Sequence, residues 1–213
     1  MPSRPLVLAS ASPSRLRLLR AAGLAPEVMV SGVDEGGVDG TDAHTTVAVL
    51  ARRKAAAVAD RLRAHRGRRL DDLGDDERPV VVGCDSVLAF DGEVRGKPPS
   101  AAQAGSWWRG YRGRGGTLVT GHTVVDVATG TRATATAEAR VRFGRPTDAE
   151  IRAYVDTGEP LAVAGGFTIE GYGAPFVDGI DGDHGTVLGL SLPVLRHLLD
   201  ELGVAITDLW ATR

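Results

Sequence analysis

A single cysteine, two methionines and 5% aromatic residues set the first limits on this 213-residue chain. The lone thiol, Cys84, excludes an internal disulfide and suits a reducing compartment. No Cys/His group has the spacing of a zinc site. No apolar run approaches the length needed to cross a bilayer. The start, Met1–Ser10, is too briefly apolar for a secretory signal, and Arg15 and Arg17 follow at once. A formal net charge of −2 gives no global attraction to nucleic acid or anionic lipid. Neither a Walker-type glycine loop nor a kinase motif set is present. The expectation is a cytoplasmic protein that binds neither nucleic acid nor membrane. At this length roughly 70% of the unfolded surface is buried on folding, so no staple is needed.

What is present centres on Gly83-Cys84-Asp85-Ser86. Pro79–Val82 leads into it and Val87–Phe90 leads out, so the stretch reads as a buried strand. A carboxylate inside such a strand is costly unless a cation, a metal or a donor meets it, which makes Asp85 the first candidate for chemistry. Asp91-Gly92 is a two-residue hairpin signal. It pairs Phe90 with Glu93 and Ser86 with Lys97, which brings Lys97 beside Asp85 without requiring side-chain contact.

Pro5–Ala9 reads as a first strand. Ser12 follows as a helix N-cap, Pro13 as the first helical residue and Gly23 as the stop. Arg15 in that first turn is electrostatically misplaced unless an anion binds at the helix start. Pro26–Ser31 reads as a second strand running into Asp34-Glu35, a carboxylate pair able to hold a hard cation such as Mg²⁺. From Thr41 to about His65, apolar residues line one helical face, and Lys54 falls on that face. Such a lysine must snorkel outward or find an anion. The mixed-charge stretch 65–78 reads as an exposed loop.

Further on, Ser100 opens a helix carrying Trp107, Trp108 and Tyr111. Thr117–Ala128 and Thr131–Phe143 read as two long strands joined at Thr129-Gly130. Thr147 and Glu150 form a capping box. A glycine-rich stretch spans 164–173, Phe176–Ile180 reads as a strand, 181–185 as a loop, and Ser191–Leu202 as an amphipathic helix.

These motifs occur in the order Leu8-Ala9-Ser10-Ala11-Ser12-Pro13-Ser14-Arg15, Val33-Asp34-Glu35, Lys54-Ala55, Gly83-Cys84-Asp85-Ser86, Gly96-Lys97-Pro98, Gly158-Glu159-Pro160, Ala164-Gly165 and Ile169-Glu170-Gly171. In that order they resemble the Maf proteins, nucleoside triphosphate pyrophosphatases also linked to septum formation. The resemblance implies one Maf-like domain over residues 1–213. It implies an α/β fold, similar to inosine triphosphatases, with a long curved mixed β-sheet flanked by helices and two lobes around a central cleft. It also implies hydrolysis of NTP or dNTP to the monophosphate and diphosphate with a divalent metal, Mg²⁺ or Mn²⁺. Clearance of non-standard nucleotides and arrest of cell division are the roles it suggests, and a homodimer is open. By position, Asp85 matches the family's proton acceptor. Ser12, Arg15, Lys54 and Lys97 match phosphate-contacting positions, and Glu35 matches a metal-side carboxylate. Members selective for thymidine and uridine triphosphates carry arginine, threonine and glutamine where Ser14, Ser86 and Glu170 stand here, so these three bear on base preference. The alternative expectation is a nucleotide-sensing, non-catalytic regulator of septum formation.

Overall fold

The computed structural model describes residues 4–35, 42–64 and 79–211; the charged stretch 65–78 lies outside them. In chain order the elements are β1 (Leu6–Leu8), α1 (Pro13–Ala21), β2 (Glu27–Val28), α2 (Ala43–Ala64), β3 (Val80–Phe90), β4 (Glu93–Arg95), α3 (Ala101–Tyr111), β5 (Gly115–Asp126), β6 (Arg132–Phe143), α4 (Asp148–Asp156), β7 (Val177–Asp181), α5 (His184–Leu188) and α6 (Leu192–Glu201). Short 3₁₀ turns occupy Glu159–Ala162, Ala164–Gly166, Gly171–Phe176 and Ile206–Leu209.

The strands form one open, mixed, seven-stranded sheet in the order β2-β1-β3-β5-β6-β7, with β4 pairing to β3 off that path. β1 is parallel to β2 and β3; the remaining pairs are antiparallel. Side chains alternate across a strand, so β3 feeds two layers. Val80, Val82 and Cys84 pack with Leu19 of α1 and Leu195, Leu198 and Leu199 of α6. Val81 packs with Ala55, Val58 and Leu62 of α2 on the opposite face. The far half of β3 enters a separate aromatic core, where Leu88 and Phe90 meet Trp108, Tyr111, Phe143 and Tyr154. β3 therefore touches these three apolar clusters, and Asp85-Ser86 lies between the first two and the third.

Local signals account for most boundaries. Ser12, Ser100, Thr147 and Ser191 each cap a helix through the side-chain oxygen, and Thr147 with Glu150 completes a capping box. Three expectations need correction. β2 is reduced to two residues at the sheet edge, where among the described residues it pairs only with β1. The 181–185 loop gives way to α5 at His184, capped by the Asp183 side chain. The hairpin pairs Phe90 with Glu93 as expected, yet β4 ends at Arg95, so Ser86 and Lys97 do not pair. There the Gly96 carbonyl accepts from the Gly165 N–H at 2.8 Å, which draws the chain away from β3.

One buried titratable group ties the sheet to α6. His122 on β5 is fully buried, and its Nε2 accepts the N–H of the α6 cap, Ser191, at 2.8 Å. Burial, helped by the Arg15 charge, pulls its pKa from 6.5 down to about 4. The unfolded chain binds that proton more readily, so the contribution is complete above pH 6.5 and is lost as pH falls toward 4. Acid unfolding should show a loss of about 3 kcal/mol across this window. His122→Gln should flatten the window, which denaturant titrations at pH 4 to 7 would measure.

Candidate active site

The site begins with a gap in the sheet. On one side of β3, β1 pairs with residues 80–82 and β4 with residues 88–90. Between them, Gly83–Val87 pair only with β5 on the other side, among the described residues. A cavity of about 1270 Å³ opens on this gap. Small-molecule sites occupy roughly 300–1,000 Å³, so this one is large. Ser12, Ser14, Arg15, Glu35, Lys54, Asp85, Ser86, Lys97 and Glu170 all line it.

At its floor Lys54 and Asp85 form a buried pair. Lys54 is 7% and Asp85 6% exposed, and Nζ lies 2.6 Å from Oδ1. The same ammonium lies 2.6 Å from Oε1 of the exposed Glu35. The lysine on the apolar stripe of α2 has thus found two anions. Breaking such a pair leaves an uncompensated buried charge, so the three groups hold one another in register. The titration of the two carboxylates is pushed apart. Burial raises the pKa of Asp85 above the ordinary carboxylate value, although the Lys54 and Arg15 charges pull against it. Partial burial acts upward on Glu35 too, but the Lys54 hydrogen bond and the charges of Lys54, Lys97 and Arg15 outweigh it, so Glu35 stays ionised. Two neighbouring carboxylates of opposite tendency are the usual mark of a divided acid–base role. Cys84 is no competitor as a nucleophile: burial pushes its thiol up to about 11.

Arg15, a cation misplaced at a helix start, is met there by neutral acceptors of the chain itself. It is buried, at 8% exposure. Its Nε donates to the Gly189 carbonyl, Nη1 to Ser10 Oγ and to the Cys84 carbonyl, and Nη2 to Ser86 Oγ, all within 2.7–3.0 Å. Cys84 lies on the unpaired edge of β3, and Arg15 supplies the donor that a neighbouring strand would have given. The hydroxyl of Ser86 is committed as well. Thr120 Oγ1 donates to the Thr186 carbonyl at 2.8 Å, so in its 2.9 Å contact with Ser86 it must accept. Ser86 therefore spends its proton on Thr120 and can only accept from anything else.

At the cavity rim, Ser14 Oγ donates to Glu170 Oε2 at 2.9 Å. Arg17, which belongs to none of the site motifs, donates to Ser14 Oγ at 3.1 Å and to Glu170 Oε2 at 2.5 Å. It lies three residues beyond Ser14 on α1, on the same helical face, and that spacing was the available signal. Lys97 is exposed and lines the same cavity, but Asp85 takes its cation from Lys54. The structure thus brings these nine sequence candidates to one cavity, while Asp34, the other half of the carboxylate pair, is not among its lining residues.

The family described as Maf-like protein matches residues 5–202. The chain belongs to the Maf family. Among its Maf relatives, a protein of Streptomyces coelicolor is 55% identical, covering 99% of this chain and 96% of its own length. One of Streptomyces avermitilis is 52% identical, over 100% and 97%. One of Synechococcus is 46% identical, over 97% and 98%. All three are named nucleoside triphosphate pyrophosphatase. The Maf segment contains every residue that lines the cavity, so family and site coincide.

Proposed function

We propose that this protein hydrolyses nucleoside triphosphates, ribo or deoxyribo, to the monophosphate and diphosphate in the cytoplasm. The observation that carries this reading is the Lys54 ammonium shared by Asp85 and Glu35 at the floor of a cavity that Arg15 and Lys97 also line. Water attacks the α-phosphorus, its proton passes to Asp85, the bond to the α–β bridging oxygen breaks, and diphosphate leaves. A carboxylate with a raised pKa is better matched to this step than a free aspartate, whose pKa is roughly 3.9. Lys54 orients the Asp85 carboxylate. Lys97 and the capping hydroxyl of Ser12 contact the phosphates, and the Arg15 charge stabilises the negative charge on the departing group. Base choice falls to Ser14, Ser86 and Glu170. The names of the Maf relatives support the same chemistry.

The donor set also fits a divalent ion. Among the described residues no three or more His, Cys, Asp or Glu gather into a metal cluster. Mg²⁺ commonly takes one or two carboxylates together with substrate phosphates. Glu35 would hold it with phosphate oxygens, and once bound it would neutralise phosphate charge. The cavity lining needs that help, since five carboxylates (Glu35, Asp85, Glu93, Glu159, Glu170) face four cations (Arg15, Arg17, Lys54, Lys97).

A panel of ribo- and deoxyribonucleoside triphosphates, with Mg²⁺ or Mn²⁺ and with EDTA, tests the reading. Diphosphate should appear, orthophosphate should not, and EDTA should abolish turnover. Release of orthophosphate, or no release from any nucleotide, would overturn it. Tight nucleotide binding without turnover would establish a nucleotide sensor instead. Among the described residues no helix is long and apolar enough to cross a membrane.

A further inference from the structure

Lys97 differs from the other cavity cations in how it is held. Arg15 and Lys54 are fixed through their own side chains, whereas Lys97 is exposed and lies two residues beyond the end of β4. Its backbone is set by a chain of hydrogen bonds from α3. The Tyr111 hydroxyl donates to the Gly165 carbonyl at 2.9 Å. The Gly165 N–H donates to the Gly96 carbonyl at 2.8 Å, one residue before Lys97. Trp108 Nε1 donates to the Gly166 carbonyl at 2.8 Å, fixing the next peptide.

The two glycines are required for this arrangement. Gly165 has φ +66° and Gly166 φ +67°, a region that side chains disfavour. A methyl on Gly165 would stand 2.7 Å from Leu88 Cβ, and one on Gly166 would stand 3.0 Å from Cγ of the buried Pro98. The turn is thereby wedged between β3 and the residue after Lys97. On the other side of Lys97, the Arg95 guanidinium lies 4.7 Å from the Phe90 ring centroid and 5.3 Å from those of Trp107 and Tyr111. The lysine backbone is gripped on both flanks by the aromatic face of α3. Burial pushes the Tyr111 hydroxyl up to about 12, so its proton stays available to Gly165.

We propose that Tyr111 is a positioning residue for substrate binding, acting through Gly165 and Gly96 to hold Lys97 toward the phosphates. The inference rests on the nucleotide reading above. Tyr111 itself lies outside the cavity lining.

A double-mutant cycle tests it. Tyr111→Phe keeps the ring that stacks on Phe143 at 4.5 Å and removes only the hydroxyl. It should raise KM for the preferred triphosphate about fivefold and change kcat less than about twofold. Lys97→Ala should raise KM about tenfold. In the Lys97→Ala background, adding Tyr111→Phe should move KM by less than about 1.5-fold, because the group it positions is gone. Multiplicative effects on KM, or a lowered Tm with unchanged KM in Tyr111→Phe, would overturn the proposal and leave Tyr111 a packing residue. The same cycle is run on calorimetric binding of inorganic tripolyphosphate. If the wild-type protein binds tripolyphosphate without hydrolysing nucleotides, the enzymatic reading fails and the binding cycle still decides the role of Tyr111. If it binds neither tripolyphosphate nor nucleotide, both fail.

Discussion

Asp85→Asn should lower kcat by about 10²–10⁴-fold, the range for loss of a general base, while KM stays within about threefold. The amide keeps the shape of the carboxylate and can still accept from Lys54 Nζ, which now stands 2.6 Å from Oδ1. What it loses is the ability to take a proton from water. The loss should be equal for every accepted nucleotide, because Asp85 acts on the phosphates and not on the base. Turnover within a few-fold of wild type would end the assignment. The pH profile adds a second reading. The ionised form is the active one, so rate falls as pH drops through the pKa of Asp85, which burial has raised. The acid limb should therefore sit above the roughly 3.9 of a free aspartate. Removing the opposing cation in Lys54→Met should move it higher still.

How much of this could be read from residues alone divides along one physical line. Features set by neighbours in sequence were legible. The apolar run through Asp85, the cap at Ser12, the capping box at Thr147 and the stripe that carries Lys54 each follow from local periodicity or local hydrogen bonding. Features set by distant chain were not. The Lys54–Asp85 bond joins residues 31 apart, and the carbonyl that receives Arg15 Nε lies 174 residues away. Charge complementarity could say that Lys54 and Arg15 needed partners, but not which ones. The helix α5 was hidden because its five residues begin just before one glycine, Gly185, and end at another, Gly189, so the stretch reads as a turn. The end of β4 was hidden because a backbone N–H from Gly165 decides it.

The glycine in front of Cys84 explains why Lys54 can reach Asp85 at all, and its replacement should have the second large effect. Gly83 lies two residues before Asp85, so both point to the α2 side of β3. A methyl at Gly83 would stand 2.6 Å from the Ala51 carbonyl oxygen and 2.7 Å from the Ala55 nitrogen. Those atoms are helix backbone, three residues before and one residue after Lys54, and they cannot rotate aside. On the adjacent strand a methyl at Gly121 would collide with the Val47 carbonyl, one turn earlier on the same helix. The two glycines seat α2 directly on the sheet, and only a helix at that height delivers a lysine to a carboxylate buried in a strand. Gly83→Ala must lift α2 or bend β3. Overpacking of this kind costs about 1–3 kcal/mol. A rise of about 1 Å is also enough to break the short Lys54–Asp85 bond, so kcat should fall with stability. Gly110→Ala on α3 is the control, since nothing lies within 4 Å of its new methyl and alanine favours a helix. Calorimetric Tm and kcat for the two variants should diverge. Equal stability and activity in both would mean that α2 is not seated on the sheet through Gly83.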